Sequence, residues 1–196
     1  MTTLTQKERE TVLILFKDYT TFYNANSISK ILNISHVGAQ KIFKRLLQEN
    51  LLRSKTIGKS ITYKLNFNDS YVSQLVAFLL ADEANKFKRW KEEFKELFKK
   101  DRIVMLFGST VKDYAHAHDI DLMIVIENKE VKEVNAFLKK KEEILPKKLH
   151  AIKLNHHDLS ENIKKKDKAF VDIIKNAIIF YGQEKYVEIL KNVTSL

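Results

Sequence analysis

Two carboxylates and a Gly-Ser pair are the residues of this chain best suited to phosphate chemistry. Asp119 and Asp121 are one residue apart, so on a β-strand both side chains lie on one face and can approach the same metal ions. Gly108 and Ser109 follow the apolar run 104–107. A glycine there permits close backbone approach to phosphate oxygens, and a serine hydroxyl can donate to them. This combination could support nucleotidyl transfer assisted by divalent metals.

Short strands must position these residues. The apolar segment 102–107 predicts a strand ending at Gly108, and 119–127 predicts a second strand that is acidic only at its start. A helix over 129–144, closed by Pro146, and a third strand over 148–154 follow. From residue 159 onward the pattern predicts helix, broken at Gly182. We therefore expect a small mixed sheet with helices, in an α+β protein.

The run Leu106-Phe-Gly-Ser, followed by Asp119-Ile-Asp-Leu-Met-Ile-Val, resembles the signature of nucleotidyltransferases of the DNA polymerase beta superfamily, especially their minimal prokaryotic members. The resemblance extends over roughly residues 92–190. It implies that Gly108 and Ser109 hold nucleotide phosphates, and that Asp119 and Asp121 are catalytic and bind Mg²⁺ or Mn²⁺. An NTP would then donate a nucleotidyl group to a hydroxyl of a protein or nucleic acid. The segment 175–182 resembles the closing helix of these domains.

The segment 148–154 departs from that signature. It carries no carboxylate where the resemblance implies a third one, and His150 is the candidate ligand there. His118 also stands before the first aspartate where the family usually has serine. Two hypotheses therefore remain: an active transferase, or a transcriptional regulator whose catalytically degenerate domain senses a nucleotide or a partner. The minimal prokaryotic members often act as antitoxins on a helical toxin, so an antitoxin is a further possibility by family analogy.

The first third of the chain predicts three helices and a hairpin. The helices are expected over 5–19, 27–32 and 36–50, with Ser27 capping the second and Ser35 the third. The segment 53–65 alternates around Gly58, as the strands of a hairpin do. The third helix turns apolar residues inward and leaves a basic face opposite them, which includes Lys41, Lys44 and Arg45.

This order of elements resembles winged helix-turn-helix regulators over residues 5–66. The resemblance implies that the third helix approaches a DNA groove while the hairpin, or wing, contacts the backbone. The residues implied are His36, Gln40, Lys41 and Lys44 on the helix, and Arg53, Lys55 and Lys59 on the wing. The alternative is an ordinary solvated basic face on a module that docks a protein or a second copy.

Three segments follow from this interpretation. Residues 1–68 form the DNA-binding domain, 69–100 a linking helix or two abutting helices, and 101–196 the nucleotidyltransferase-like domain. An apolar stripe from Val72 to Leu80 lies on the linking segment. It would pack either on the winged helix or on a second copy, which makes a homodimer possible.

Charge supports a nucleic-acid partner for the first third. The chain carries a net charge of +10, and residues 1–68 hold eleven Lys and Arg against four acidic residues, a difference of +7. The chain has no cysteine, its first residues do not resemble a signal peptide, and no apolar run is long enough to span a bilayer, so we expect a cytoplasmic protein with no membrane contact.

Overall fold

The computed structural model describes residues 3–194. Its N-terminal third contains the predicted three helices and hairpin. The helices are α1 (Gln6–Lys17), α2 (Ala25–Leu32) and α3 (His36–Gln48), and the antiparallel hairpin consists of β1 (Leu52–Ile57) and β2 (Ser60–Leu65). Gly58 lies in the hairpin turn with φ of +58°, a conformation that glycine adopts without steric penalty.

Side-chain caps fix where these helices begin. Thr5 caps α1 in a reciprocal arrangement with Glu8, and the Ser35 hydroxyl accepts from the Gly38 N–H at the start of α3, as predicted. The expectation that Ser27 caps α2 is wrong. Asn24 is the cap, and Ser27 is the third helical residue, whose hydroxyl accepts from the Asn24 backbone N–H in return.

The segment 69–100 contains two α-helices, α4 (Ser70–Ala84) and α5 (Lys88–Glu93), each followed by a short 3₁₀ turn. The apolar stripe of α4 is buried within this chain: Val72, Val76, Leu79 and Leu80 are each at most 2% exposed. The stripe packs against α1 of the N-terminal third, one of the two predicted alternatives, and also against α10 and β6 of the C-terminal half. Within residues 3–194, no helix combines the length and apolarity needed to cross a bilayer.

A four-stranded mixed sheet organises the C-terminal half, in agreement with the expected α+β class. Its strands are β3 (Ile103–Phe107), β4 (Asp119–Val125), β5 (Lys148–Leu154) and β6 (Ile178–Tyr181), in the spatial order β5-β4-β3-β6. β3 is antiparallel to β4 and β6, whereas β4 and β5 are parallel. The helices are α6 (Ser109–Lys112), α7 (Val131–Ile144), α8 (His156–Lys165), α9 (Lys168–Asn176) and α10 (Gln183–Thr194).

Strand β6 corrects the expectation that the chain is helical from residue 159 to Gly182 and that 175–182 forms a closing helix. Helix α9 ends at Asn176, and Ile178 to Tyr181 pair with β3 at the sheet edge. This run is β-branched and aromatic, which favours strand. Because its first three residues are all buried, it lacks the alternation that marks a half-exposed strand.

The two faces of the sheet belong to different apolar cores. Met105 and Met123 point into a core that also contains residues of α1, α3, α4 and α10. Leu106 and Leu122 point into a second core formed with α5 and α7. The first core is continuous from Leu4 to Leu190, so the N-terminal helices and the sheet are parts of one packed unit.

Polar contacts at the end of α1 complete this junction. The buried Lys17 ammonium lies 2.6 Å from Glu83 and donates to the Ala177 carbonyl at 2.7 Å. The next residue, Asp18, accepts from Lys175 at 2.6 Å. Burial opposes ionisation of Asp18, but hydrogen bonds from Lys175, Tyr23 and Thr21 outweigh it and lower the pKa of this carboxyl.

Replacement of this carboxyl should weaken the junction. Asp18→Asn is expected to lower the free energy of unfolding at neutral pH by about 1–3 kcal/mol, because Lys175 and Tyr23 lose a charged acceptor. Wild type loses the same contribution as pH falls through the depressed pKa of Asp18, so the difference should vanish in acid. Urea unfolding of wild type and variant at neutral and at acidic pH measures this difference in stability, with the exposed Asp172→Asn as control. An equal deficit at both pH values would contradict this account.

Candidate active site and nucleic-acid face

The two aspartates lie at the start of β4. Asp119 and Asp121 project from one face of the strand, whereas Ile120 between them is fully buried in the second core. The pairing of β3 with β4 places Asp121 opposite Phe107, the residue before Gly108. The pairing therefore brings both aspartates and the Gly108–Ser109 turn to the same end of the two central strands.

Gly108 is needed at this turn for two reasons. Its φ is +77°, which residues with a side chain rarely adopt. A Cβ atom placed on it would also lie 2.1 Å from Oδ2 of Asp121. The backbone of the turn thus touches the carboxylate directly, and any larger residue would displace Asp121.

His150 completes a three-residue cluster. The parallel pairing of β4 and β5 aligns His150 with Asp121, and its Nδ1 lies 3.1 Å from Oδ2 of Asp119 and 3.7 Å from Oδ1 of Asp121. One ligand atom from each of the three residues lies within 4.8 Å of the others. Strand β5 holds no carboxylate, so an imidazole is the donor that it supplies here.

The electrostatics of the cluster favour a cation. Burial raises the pKa of Asp121, and repulsion from Asp119 adds to this, while His150 partly offsets it. A bound cation would relieve both the burial of charge and the repulsion. Two carboxylates and an imidazole suit a divalent ion, since carboxylate oxygens bind Mg²⁺ or Mn²⁺ and imidazole suits transition metals. The donor set therefore fits a divalent metal.

Thr110 and Lys147, which the sequence analysis did not include in the site, hold the loop before Asp119. The buried Thr110 hydroxyl donates to the Asp119 carbonyl at 2.6 Å, which joins α6 to β4. The Lys147 ammonium donates to the carbonyls of Tyr114 and Ala117, and lies 4.2 Å from the centre of the Tyr114 ring. No local motif announces these roles, because Lys147 is far from the loop along the chain.

An open cavity of about 440 Å³ adjoins the Gly-Ser turn. Phe107, Gly108, Ser109 and Lys112 form one wall. The other wall comes from α9, with Ala169, Asp172, Ile173 and Asn176. The α9 residues were not predicted as part of the site, since more than fifty positions separate them from Ser109. The cavity has the size of a small-molecule site and lies beside the Gly-Ser turn.

A comparison with protein families agrees with this geometry. Residues 92–185 match the family described as polymerase beta, nucleotidyltransferase. The match supports a nucleotidyltransferase domain in the C-terminal half, and it contains the Gly-Ser turn, both aspartates and His150. Searches of curated proteins and of solved structures gave no match.

The residues predicted to contact DNA lie on two surfaces. On α3, His36, Gln40, Lys41 and Lys44 are exposed, and their neighbour Val37 is 58% exposed, an apolar side chain that the prediction omitted. Arg53, Lys55 and Lys59 are exposed on the hairpin. Phe43 of α3 stacks on Tyr63 of β2 with ring centres 3.9 Å apart, which fixes the helix against the hairpin.

Arg45 does not belong to the exposed basic face of α3, where the sequence pattern placed it. Its guanidinium lies 3.1 Å from Glu8, whose carboxylate is only 4% exposed, and it donates to the Thr3 carbonyl. This residue joins α3 to α1. Lys41 and Lys44 are therefore the cations that α3 exposes to solvent.

The metal-free cluster should destabilise the fold. Asp121→Asn is expected to raise the melting temperature at neutral pH without metal, because it removes a partly buried charge facing Asp119. The penalty exists only where Asp121 is ionised: it is absent well below the ordinary carboxyl pKa and appears as pH rises through the raised pKa. The gain should therefore disappear in acid.

Thermal unfolding with a chelator, and then with Mg²⁺ or Mn²⁺, measures both effects. The metal should raise the melting temperature of wild type and of the control Asp101→Asn, but not that of Asp121→Asn. Asp101 has a φ of +65°, which asparagine tolerates. If Asp121→Asn is less stable than wild type in the presence of chelator, the electrostatic account is contradicted.

Proposed function

We propose that the C-terminal half transfers a nucleotidyl group from an NTP to a hydroxyl of a protein or nucleic acid, with Mg²⁺ or Mn²⁺. One observation carries the proposal: the backbone at Gly108 lies against the Asp121 carboxylate of β4, inside a segment that matches the nucleotidyltransferase family. The cavity beside Ser109 gives the nucleotide a place to bind.

Each residue has a defined part in this reaction. The Ser109 hydroxyl and the backbone beside Gly108 contact phosphate oxygens, while Asp119 and Asp121, with His150, would hold the metal. A divalent metal at such a site neutralises phosphate charge and favours ionisation of an attacking hydroxyl. The acceptor oxygen forms a bond to the α-phosphorus, the bond to the bridging oxygen breaks, and pyrophosphate and the hydroxyl proton leave.

Label transfer tests this activity. The protein is incubated with each α-labelled NTP and Mg²⁺ or Mn²⁺, with RNA, DNA or host lysate as acceptor. Wild type and Asp101→Asn should transfer label, and Asp119→Asn and Asp121→Asn should lose about 100-fold or more, since several kcal/mol of charge stabilisation depends on the metal ligands. His150→Ala should also lose activity, whereas His118→Ala, an exposed loop histidine outside the cluster, should not.

A regulator with a degenerate transferase domain is the second candidate, and the absence of a carboxylate from β5 favours it. The missing carboxylate would deprive the acceptor hydroxyl of its usual base. Nucleotide binding by wild type without label transfer to any acceptor would select this function. Transfer to a single helical protein in the lysate would instead favour an antitoxin-like transferase.

We further propose that residues 5–66 form a winged helix that binds DNA. The support is the order of three helices and a hairpin, the caps that fix α3, and the exposed polar and basic side chains on its outer face. Gln40 can read a base edge in the major groove, while Lys41 and Lys44 contact phosphates.

Selection from a random duplex library tests DNA binding. Wild type should enrich a preferred sequence, and Gln40→Ala should relax that preference by about 1–3 kcal/mol at the base it reads. Lys44→Ala should weaken binding to all sequences, because phosphate contacts carry no base information. Lys30→Ala, an exposed lysine on α2, is the matched control. Failure of wild type to retain any duplex at low salt would overturn the proposal.

A further inference from the structure

The hairpin has two different faces. Leu52, Tyr63 and Leu65 face α3 and the first core, and residues paired across the strands share a face. Arg53 and Lys64 form such a pair on the opposite face, and Lys55 lies on that face opposite Thr62. Three cations of the hairpin therefore point away from α3.

The turn between α8 and α9 brings further cations to that side. Lys166 ends α8 with φ of +52°, and Lys168 begins α9. Both side chains are exposed. The intervening acid, Asp167, accepts from the Phe170 backbone N–H as the cap of α9, so it is committed to its own helix.

The loop after α1 lies between this turn and the hairpin strand that carries Lys64. The Tyr19 hydroxyl donates to the Ile163 carbonyl at 3.1 Å. Thr20 and Thr21 share a small cleft with Lys166 and Lys168. The Lys64 ammonium lies 5.1 Å from the centre of the Phe22 ring, in the same loop. Burial lowers the pKa of Lys64, and the charges of Lys166 and Lys55 lower it further, consistent with cations gathered from both halves.

We call Arg53, Lys55, Lys64, Lys166 and Lys168 the junction patch. Within residues 3–194 none of these five side chains forms a salt bridge, although the neighbouring Lys164 pairs with Glu161 and Lys175 with Asp18. Two acidic residues border the same cleft: Asp18, which pairs with Lys175, and Asp172. The cations outnumber these acids and repel one another, and a polyanion would neutralise them.

We infer that the junction patch binds the backbone of double-stranded DNA and extends the DNA-contact surface from the hairpin onto the C-terminal half. The inference rests on the proposed DNA binding. The hairpin packs against α3 on one face, and Lys64 of its other face lies near Lys166. A duplex that contacts this outer face can therefore meet cations from both halves. The distribution of charge along the sequence does not reveal this surface, because Lys64 and Lys166 are about one hundred positions apart.

The position of the patch links DNA to the candidate transfer site. Helix α9 begins at the patch with Lys168, and its residues Asp172 and Asn176 line the cavity beside Ser109. Asp172 also borders the cleft that contains Lys166 and Lys168. The patch and the cavity therefore adjoin the same helix, with Asp172 bordering both.

The salt dependence of DNA affinity tests the inference. Fluorescence anisotropy of a labelled 30-base-pair duplex, titrated with the full chain at several KCl concentrations, gives the slope of log K against log [KCl]. Lys166→Asn with Lys168→Gln should reduce the slope by up to about 2, and affinity at about 0.1 M KCl by about tenfold or more, since each phosphate contact contributes about 0.9. Asparagine suits the left-handed conformation of residue 166.

The matched control is Lys139→Gln with Lys140→Gln, which removes the same charge from α7 on the opposite face of the sheet. This control should keep the wild-type slope. Equal slopes for wild type and the patch variant, with both folded by circular dichroism, would overturn the inference and leave DNA binding by α3 standing. No duplex binding by wild type would overturn the DNA-binding proposal itself. Tighter binding of anionic vesicles than of duplex would assign the patch to a membrane surface and overturn the inference.

Discussion

Burial of helix α4 between the two halves is the interaction on which the rest of the structure depends. Its apolar residues pack against α1 on one side and against α10 and β6 on the other, within one continuous core. At roughly 25 cal/mol for each Å² of apolar surface removed from water, this shared surface stabilises the junction more than any single polar contact there does. Lys17, Asp18 and Tyr19 add directional contacts at its edge. The positions of α3, the hairpin and the sheet relative to one another follow from this packing.

The candidate active site holds two carboxylates close enough to repel each other, which opposes stability. Asp119 and Asp121 lie close together at the start of the buried strand β4, and the turn at Gly108 packs against Asp121. A protein selected for stability alone would separate such charges or make one of them neutral. The β4–β5 pairing adds an imidazole where a carboxylate would have increased the repulsion further. The cluster therefore carries less negative charge than a cluster of three carboxylates would. A metal bound there would be one that accepts a nitrogen ligand.

Much of the fold follows from local sequence signals. The cap Ser35, the hairpin at Gly58 and the strands before Gly108 and from Asp119 were predictable because each depends on residues close together in the chain. Strand β6 was not, because a strand buried on both faces lacks the polar-apolar alternation that distinguishes a half-exposed strand.

Long-range pairing accounts for the other omissions. The contact of Arg45 with Glu8, and that of Lys147 with the loop before Asp119, depend on how helices and strands pack rather than on spacing. His150 could be named as a candidate ligand from the sequence, but its distance from Asp119 depends on the strand register. Two aspartates one residue apart needed no such information, which is why that part of the site was the easiest to find.

The continuous core has a consequence for how ligands are detected. Because α1, α4, the sheet and α10 share one set of buried side chains, unfolding of either half exposes apolar surface of the other, and we expect a single cooperative transition. By thermodynamic linkage, a molecule that binds the native state anywhere on the chain then stabilises all of it. The same linkage would couple a ligand on the proposed DNA-binding face, or a metal at the carboxylate cluster, to the stability of both halves.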